Sequence, residues 1–92
     1  MIHQPRVQIH YCTQCRWLLR AAWYAQELLT TFETDLGEVA LVPGTGGIFE
    51  VLVNDTTIWS RAAQGRFPDI KEIKQLVRDH VAPGRSLGHT DR

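Results

Sequence analysis

The sequence predicts an α/β domain in which helices pack on a mixed four-stranded sheet, in the order βαβββα. Three observations predict this two-layer sandwich: an alternating segment followed directly by one with helical spacing, a hairpin signature in the middle of the chain, and an amphipathic segment near its end. A chain of 92 residues with 43% hydrophobic residues has the size and composition of one folded domain. We therefore expect a single, thin hydrophobic core.

The first half of the chain predicts a strand, a helix and a second strand. Residues Arg6–Tyr11 alternate polar with apolar or aromatic side chains, and this strand ends at Cys12. From Thr13 to about Phe32, apolar residues recur at helical spacing without an internal glycine or proline, which favours a helix of roughly 18 residues. The short apolar segment Glu38–Val42 follows as a strand. Together these elements form a parallel unit with a right-handed crossover.

The second half predicts a hairpin and another helix. Phe49–Val53 and Thr56–Trp59 flank the turn residues Asn54-Asp55, which is typical of two antiparallel strands. The polar segment Arg61–Phe67 is expected to be a loop, and Ile70–Val81 carries one apolar stripe on a second helix. This is the layout of a compact thioredoxin-like domain. We assign it to residues 6–82, with a flexible N-terminus at 1–5 and a disordered tail at 83–92.

Composition excludes several classes of function. Ten basic and ten acidic residues cancel, so no net field attracts nucleic acid or an anionic membrane. The chain has no apolar run long enough to span a bilayer and no signal-peptide pattern at Met1–Arg6, so we expect a cytoplasmic protein. Two cysteines are too few for the disulfide framework of a small secreted protein. Their role is therefore expected to be chemical.

The two cysteines form a Cys-x-x-Cys motif, Tyr11-Cys12-Thr13-Gln14-Cys15, at the predicted junction of strand and helix. A thiol attacks a disulfide only as the thiolate, and the positive end of a helix dipole favours that form. We expect Cys12 at the helix tip to be the more exposed and more readily ionised thiol, and Cys15 the more sheltered one. Cys12 and Cys15 are the candidate catalytic residues of a redox centre.

Other interpretations of these residues were weighed. The two thiols can be inert core residues, or they can bind zinc, which needs about four ligands. The histidines His3, His10, His80 and His89 are scattered without paired spacing, so neither a metal nor a cofactor is predicted. His10 is expected to be an ordinary strand residue rather than part of the site rim, and Arg16 a surface charge rather than a residue that tunes a thiol.

Two loops near the motif carry open interpretations. The glycines of Gly44–Gly47 either satisfy turn geometry, which is favoured, or form a partner surface facing the cysteines. Phe67 either packs under the second helix, which is slightly favoured, or stands out as a contact for a partner.

Three segments together resemble the selenoprotein W, T and H group, also called the Rdx family: Val7–Cys15, Gly47–Val51 and Gly65–Pro68. The likeness runs from about Arg6 to Val81. It implies a thioredoxin-like fold and a role in redox homeostasis linked to glutathione or thioredoxin. Members with selenocysteine carry it at the second motif position, Cys15 here, so this chain resembles a sulfur version. The helix argument favours Cys12 as the attacking sulfur and the family favours Cys15, and both assignments stay open.

We therefore predict a thiol-disulfide redox protein that uses Cys12 and Cys15, with an oxidoreductase activity still open. The alternative is a redox-sensing interaction module without turnover of its own. The expected partners are glutathione or thioredoxin and proteins that carry disulfides, not nucleic acid or membrane. Exposed strand edges would permit a homodimer.

Overall fold

The computed structural model describes residues 3–88 as one mixed sheet with helices packed on it. The strands are β1 (Arg6–Cys12), β2 (Glu38–Gly44), β3 (Phe49–Val53) and β4 (Thr56–Ser60), and the helices are α1 (Leu18–Phe32), α2 (Arg61–Gln64) and α3 (Ile70–Val81). The strand order is β2-β1-β3-β4, with β2 parallel to β1 and the other two pairs antiparallel. The predicted α/β class and mixed four-stranded sheet are confirmed, and the arrangement is consistent with a thioredoxin-like one.

The core lies on one face of the sheet, between the sheet and helices α1 and α3. Alternate residues of the two central strands point to this face and pair directly across them: Val7 with Val53, Ile9 with Val51, and Tyr11 with Phe49. Leu28 of α1 and Ile73 and Val77 of α3 are fully buried in the same cluster. The other face carries partly exposed side chains such as His10, Glu50 and Leu52. The predicted two-layer arrangement is therefore present.

Helix α1 begins five residues later than its predicted start. Residues 13–16 form a turn instead, and Arg16 has a φ of 60°, a left-handed conformation that an α-helix does not contain. The backbone N–H of Trp17 donates to the carbonyl of Cys12 at 3.3 Å, and Trp17 is the N-cap residue. The prediction that a helix starts at Thr13 was wrong, because the chain makes a left-handed turn at Arg16 before it enters the helix.

The hairpin and α3 have the predicted bounds to within a residue or two. Asn54 and Asp55 form its two-residue turn with φ values of 47° and 70°, the positive values that tight hairpin turns require. The predicted loop after β4 contains the single turn α2, because the Ser60 hydroxyl accepts the N–H of Ala63. Helix α3 begins with a capping box, in which Asp69 is the N-cap residue.

Residues on both sides of the predicted domain bounds contact the fold. Arg85 forms an ion pair with Asp35 at 2.6 Å and donates to the Thr31 carbonyl at 2.7 Å. The backbone N–H of His3 donates to Glu38 at 2.9 Å. The predicted flexibility of 1–5 and disorder of 83–92 stay predictions, and residues 1–2 and 89–92 lie outside the described part of the chain. Within residues 3–88, no helix has the length and apolar character needed to cross a bilayer.

Candidate redox site

The two cysteines form a disulfide at the end of the central strand β1. Cys12 is the last residue of β1, Cys15 lies in the turn before α1, and their Cα atoms are 5.3 Å apart. The two cysteines that the sequence offers as a redox centre are therefore bonded to each other. A bond across so few residues closes a very small loop, which adds little to global stability. The bond is therefore a candidate redox centre rather than a structural crosslink.

The exposure of the two cysteines is the reverse of the predicted one. Cys12 is only 1% exposed, whereas Cys15 is exposed. Cys12 is buried because it still belongs to the central strand, where it pairs with Gly44 of β2 and the turn folds over it. Cys15 is exposed because the chain has left the sheet and has not yet entered α1. Cys15, not Cys12, is thus nearer in sequence to the positive end of the helix dipole, which fades within about one turn.

Hydrogen bonds fix the turn that carries the disulfide. The N–H and the hydroxyl of Thr13 both donate to the Gly44 carbonyl, at 3.0 and 3.2 Å. The N–H of Arg16 donates to the Thr13 carbonyl at 3.0 Å, and the N–H of Cys15 points at the Cys12 sulfur at 3.3 Å. The turn is therefore bonded to β2 on one side and, through Trp17, to α1 on the other.

The glycine-containing loop after β2 lies beside this turn. Gly46 and Gly47 have φ values of 72° and 76°, in the left-handed region that glycine tolerates best, so the favoured explanation by turn geometry is confirmed. Gly44 has a separate reason to be glycine, because a Cβ atom there would lie 2.8 Å from the side chain of Ile48.

Three aromatic rings pack behind the turn. The ring of Trp17 lies edge-on to Phe67, with centroids 4.8 Å apart, and edge-on to Phe49 at 6.5 Å. Phe49 and Phe67 are 5.2 Å apart. Phe67 is partly buried and packs on the core, and its ring contacts are with Trp17 and Phe49. Packing under the second helix stays a prediction.

Arginine side chains cover this aromatic cluster from outside. The guanidinium carbon of Arg20 lies 3.9 Å from the Phe67 centroid, and that of Arg61 lies 5.2 Å from Phe67 and 5.0 Å from Trp17. Arg16 follows Cys15 directly and is exposed. Within residues 3–88, none of these three arginines forms an ion pair with a carboxylate. Sequence reasoning missed Arg20 and Arg61, because only the fold brings residues 41 positions apart onto one ring.

Arg20 also lies beside a buried phenol. The Tyr24 hydroxyl donates a hydrogen bond to the Pro68 carbonyl, which joins α1 to the segment before α3. Burial raises the pKa of Tyr24, and the neighbouring Arg20 guanidinium opposes part of that rise. Tyr24 therefore stays a neutral hydrogen-bond donor at neutral pH.

The family model that matches this chain is that of the Rdx family, and it matches residues 6–79. The matched region holds the whole sheet, the Cys12–Cys15 turn and nearly all of α3. The chain belongs to the Rdx family. The resemblance seen in the sequence is therefore confirmed.

Two solved structures are similar to this Rdx domain. A crystal structure from Bordetella parapertussis is 64% identical, with a TM-score of 0.82, and the match covers 85% of this chain and 99% of that one. A selenoprotein W-related protein from Vibrio cholerae is 50% identical, with a TM-score of 0.81, and the match covers 83% of this chain and 95% of that one. A comparison with curated proteins found no match.

The side-chain hydrogen bond of His10 runs along β1 and does not involve the disulfide. His10 Nε2 lies 3.0 Å from the Gln8 amide oxygen, and the Gln8 amide nitrogen donates to Asp55 at 3.0 Å. These side chains form a polar row along β1 toward the hairpin turn. Across the described residues, no group of three or more histidine, cysteine or acidic side chains is arranged to hold a metal ion.

A cleft of about 350 Å³ lies between β4 and α3, away from the cysteines. Trp59, Glu72 and Leu76 are among its lining residues, and no motif residue is. Next to it, Arg66 lies over the Trp59 ring at 4.9 Å and binds both carboxylate oxygens of Glu72. The Arg66 guanidinium, with the Asp69 N–H, lowers the pKa of Glu72 to about 2.

Proposed function

We propose that this Rdx domain is a thiol-disulfide exchange protein in which Cys15 is the sulfur that meets the partner and Cys12 is the resolving sulfur. One observation supports this assignment above all others: the two cysteines are bonded, and only Cys15 is exposed. A nucleophile must approach the sulfur along the S–S axis, so access decides which sulfur is attacked. Burial of Cys12 leaves Cys15 as the accessible one.

Reduction of the disulfide proceeds in two exchanges. An external thiolate attacks Cys15 Sγ, a new S–S bond forms there, and the Cys12–Cys15 bond breaks with Cys12 leaving as a thiolate. The N–H of Cys15, 3.3 Å from Cys12 Sγ in the disulfide, supports the negative charge that develops on Cys12. A second external thiolate then attacks the external sulfur of the mixed disulfide and releases Cys15. Both released thiolates take up protons, and two external thiols become one disulfide.

Oxidation runs the same steps backwards. The Cys15 thiolate attacks a partner disulfide and releases one partner thiolate. Cys12 then attacks Cys15 Sγ, which reforms the internal bond and releases the second partner thiol. The fixed turn keeps the two sulfurs together, because the Thr13 and Arg16 hydrogen bonds do not involve either sulfur. Intramolecular resolution is fast when the attacking groups are held this close.

We propose glutathione or thioredoxin as the source of electrons, in the cytoplasm. Membership of the Rdx family and the presence of only two cysteines, both in the motif, support this choice. Cys15 lies in a surface turn rather than in the cleft beside β4, so either reductant can reach it.

The test compares two single-cysteine variants, Cys12→Ser and Cys15→Ser. Each is incubated with oxidised glutathione, and the rate of mixed-disulfide formation is followed by intact-mass spectrometry. We expect Cys12→Ser to form the adduct at Cys15 at least about tenfold faster than Cys15→Ser forms one at Cys12, because burial limits access. Equal rates, or a faster adduct on Cys12, would overturn the assignment.

A steady-state assay of the wild-type chain then tests turnover. The chain is supplied with an excess of glutathione and of a small disulfide substrate. The amount of oxidised glutathione formed per equivalent of chain is then measured. Continued production beyond one equivalent supports the exchange protein. A single equivalent followed by a stop would identify the sensing module instead.

A further inference from the structure

The surface around Cys15 carries three positive charges without carboxylate partners. Arg16 is exposed next to Cys15, and Arg20 and Arg61 lie on the aromatic cluster behind the turn. Elsewhere in the described chain, Arg6, Arg66, Lys74, Arg78 and Arg85 each pair with an acidic side chain. The whole chain has a formal net charge of zero. Of the four basic side chains of residues 3–88 that form no ion pair, three lie in this group and the fourth is Lys71 of α3.

Arg20 and Arg61 carry like charges and both contact the ring of Phe67. Both guanidinium carbons are within 5.2 Å of the Phe67 centroid, an arrangement in which the two charges repel each other. The Nε atom of Arg61 is buried and has no hydrogen-bond acceptor in residues 3–88. A carboxylate brought to these two side chains would be attracted to both, which offsets their mutual repulsion.

Apolar side chains are exposed beside the same charges. Leu19 is 82% exposed and Trp23 is 48% exposed, on the first two turns of α1. They lie four residues apart and therefore on one face of the helix. Large apolar side chains grouped in this way are typical of contact surfaces. A small polar thiol would leave them in water, whereas a polypeptide can cover them.

We propose that Arg16, Leu19, Arg20, Trp23 and Arg61, here named the Cys15 surface, dock an acidic polypeptide segment that flanks the reactive cysteine of a partner protein. This inference rests on the proposed exchange function and adds the class of substrate to it. Glutamate or aspartate beside the partner cysteine meets the arginines, and an apolar partner side chain covers Leu19 and Trp23. Docking adds no new bond to the exchange at Cys15, but it raises the rate at which the partner thiolate reaches the sulfur.

The experiment measures how the oxidised full-length chain reacts with three peptides that each contain one cysteine flanked by glutamate, glutamine or lysine. Each second-order rate constant is divided by the same peptide's rate with hydroxyethyl disulfide, which removes the effect of flanking charges on the peptide thiol itself. We expect the glutamate peptide to be about tenfold faster than the glutamine peptide at low salt. The lysine peptide should be slowest, and the differences should shrink at high salt.

Variants locate the effect. Arg20→Gln and Arg61→Gln should each lower the glutamate-to-glutamine ratio about threefold. Arg85→Gln is the matched control, because it removes the same charge near the other end of α1 and should leave the ratio unchanged. A ratio near one in the wild-type chain, or an equal drop in the control, would overturn the docking surface.

Two further outcomes separate this inference from the function beneath it. If no peptide reduces the disulfide, the exchange function fails, and the docking surface fails with it. If the glutamine peptide reacts normally but charge has no effect, the function stands and the docking surface is wrong. Mercaptosuccinate serves as a small acidic thiol. If acidic charge raises its reaction rate as much as glutamate raises that of the peptide, the assignment to a polypeptide is wrong.

Discussion

Two arginine–phenylalanine contacts, near opposite ends of α1, differ in whether a carboxylate completes them. Near the C-terminal end, Arg85 lies 5.5 Å from the Phe32 centroid and is paired with Asp35 at 2.6 Å. Near the N-terminal end, Arg20 lies 3.9 Å from the Phe67 centroid, and no carboxylate of residues 3–88 pairs with it. Stacking on a ring is common to both. The ion pair of Arg85 joins the segment after α3 to the end of α1. Arg20 keeps a positive charge that no carboxylate of residues 3–88 neutralises.

A third contact supports this distinction. Arg66 lies on Trp59 beside the β4–α3 cleft, and Glu72 binds it through both carboxylate oxygens at 2.7 and 2.8 Å. The arginines that contact aromatic rings away from the disulfide thus form ion pairs with a carboxylate, whereas those near the motif do not. Substitutions can remove or reverse this difference.

The largest expected effect comes from removing the two phenylalanine rings. Phe32 is 1% exposed, so Phe32→Ala should lower the free energy of unfolding by about 4 kcal/mol, because it leaves a cavity in the core. Phe67 is only partly buried, so Phe67→Ala should cost about 2 kcal/mol, below the range for fully buried rings. Urea denaturation measures both values.

The same pair of variants should separate stability from exchange. Phe67→Ala removes the ring that holds Arg20 and Arg61, so it should also lower the preference for acidic peptides, while Phe32→Leu, a milder core variant that keeps the chain folded, should not. A larger stability loss in Phe67→Ala than in Phe32→Ala would contradict the comparison of the two ends.

A carboxylate added beside Arg20 should make the N-terminal end of α1 resemble the C-terminal end. Trp23 is three residues beyond Arg20 on α1, a spacing at which a glutamate can pair with it. Trp23→Glu should lower the relative rate of the acidic peptide about threefold compared with Trp23→Gln, which loses the same ring without adding charge. Equal rates for the two variants would show that Arg20 does not act through its charge.

Removing a carboxylate at the other end should have a smaller effect. Asp35→Asn leaves Arg85 without its ion-pair partner, and because both side chains are more than one-third exposed, the loss in unfolding free energy should be about 0.5 kcal/mol. Added salt should reduce it. Exchange rates at Cys15 should not change, and a changed rate would argue against independence of the two ends.

The smallest expected effect concerns pH and the Arg66–Glu72 pair. The pKa of Glu72 is lowered to about 2 in the folded chain, so its pairing stabilises the fold above the unfolded pKa of about 4.3 and is lost as pH falls toward 2. Glu72→Gln keeps a side chain suited to the capping box but carries no charge.

Thermal unfolding of wild type and Glu72→Gln across this range is the measurement. The difference in Tm should be small, present at pH 6 and absent near pH 2. A difference that grows as pH falls would have the opposite sign and would contradict the lowered pKa.

Local patterns predicted most of this fold. The alternation of β1, the Asn54-Asp55 turn and the apolar stripe of α3 depend on neighbours in sequence, and the structure keeps all three. The start of α1 could not be predicted, because hydrogen bonds from Thr13 to Gly44 and from Trp17 to Cys12 hold the left-handed turn at Arg16. The reversed exposure of Cys12 and Cys15 follows from that same turn. The arginines around Phe67 depend on the tertiary fold, so no local pattern reports them.

The two hydrogen bonds from Thr13 to the Gly44 carbonyl make Thr13 a probe of the motif. Both the amide and the hydroxyl of Thr13 bind that one oxygen, and neither touches a sulfur. The Thr13 amide is therefore an NMR probe whose deuterium-exchange rate reports whether the turn holds its shape while the sulfurs change partners. Slow exchange in both the dithiol and the disulfide forms would show that the backbone of this turn stays fixed when the redox state of the cysteines changes.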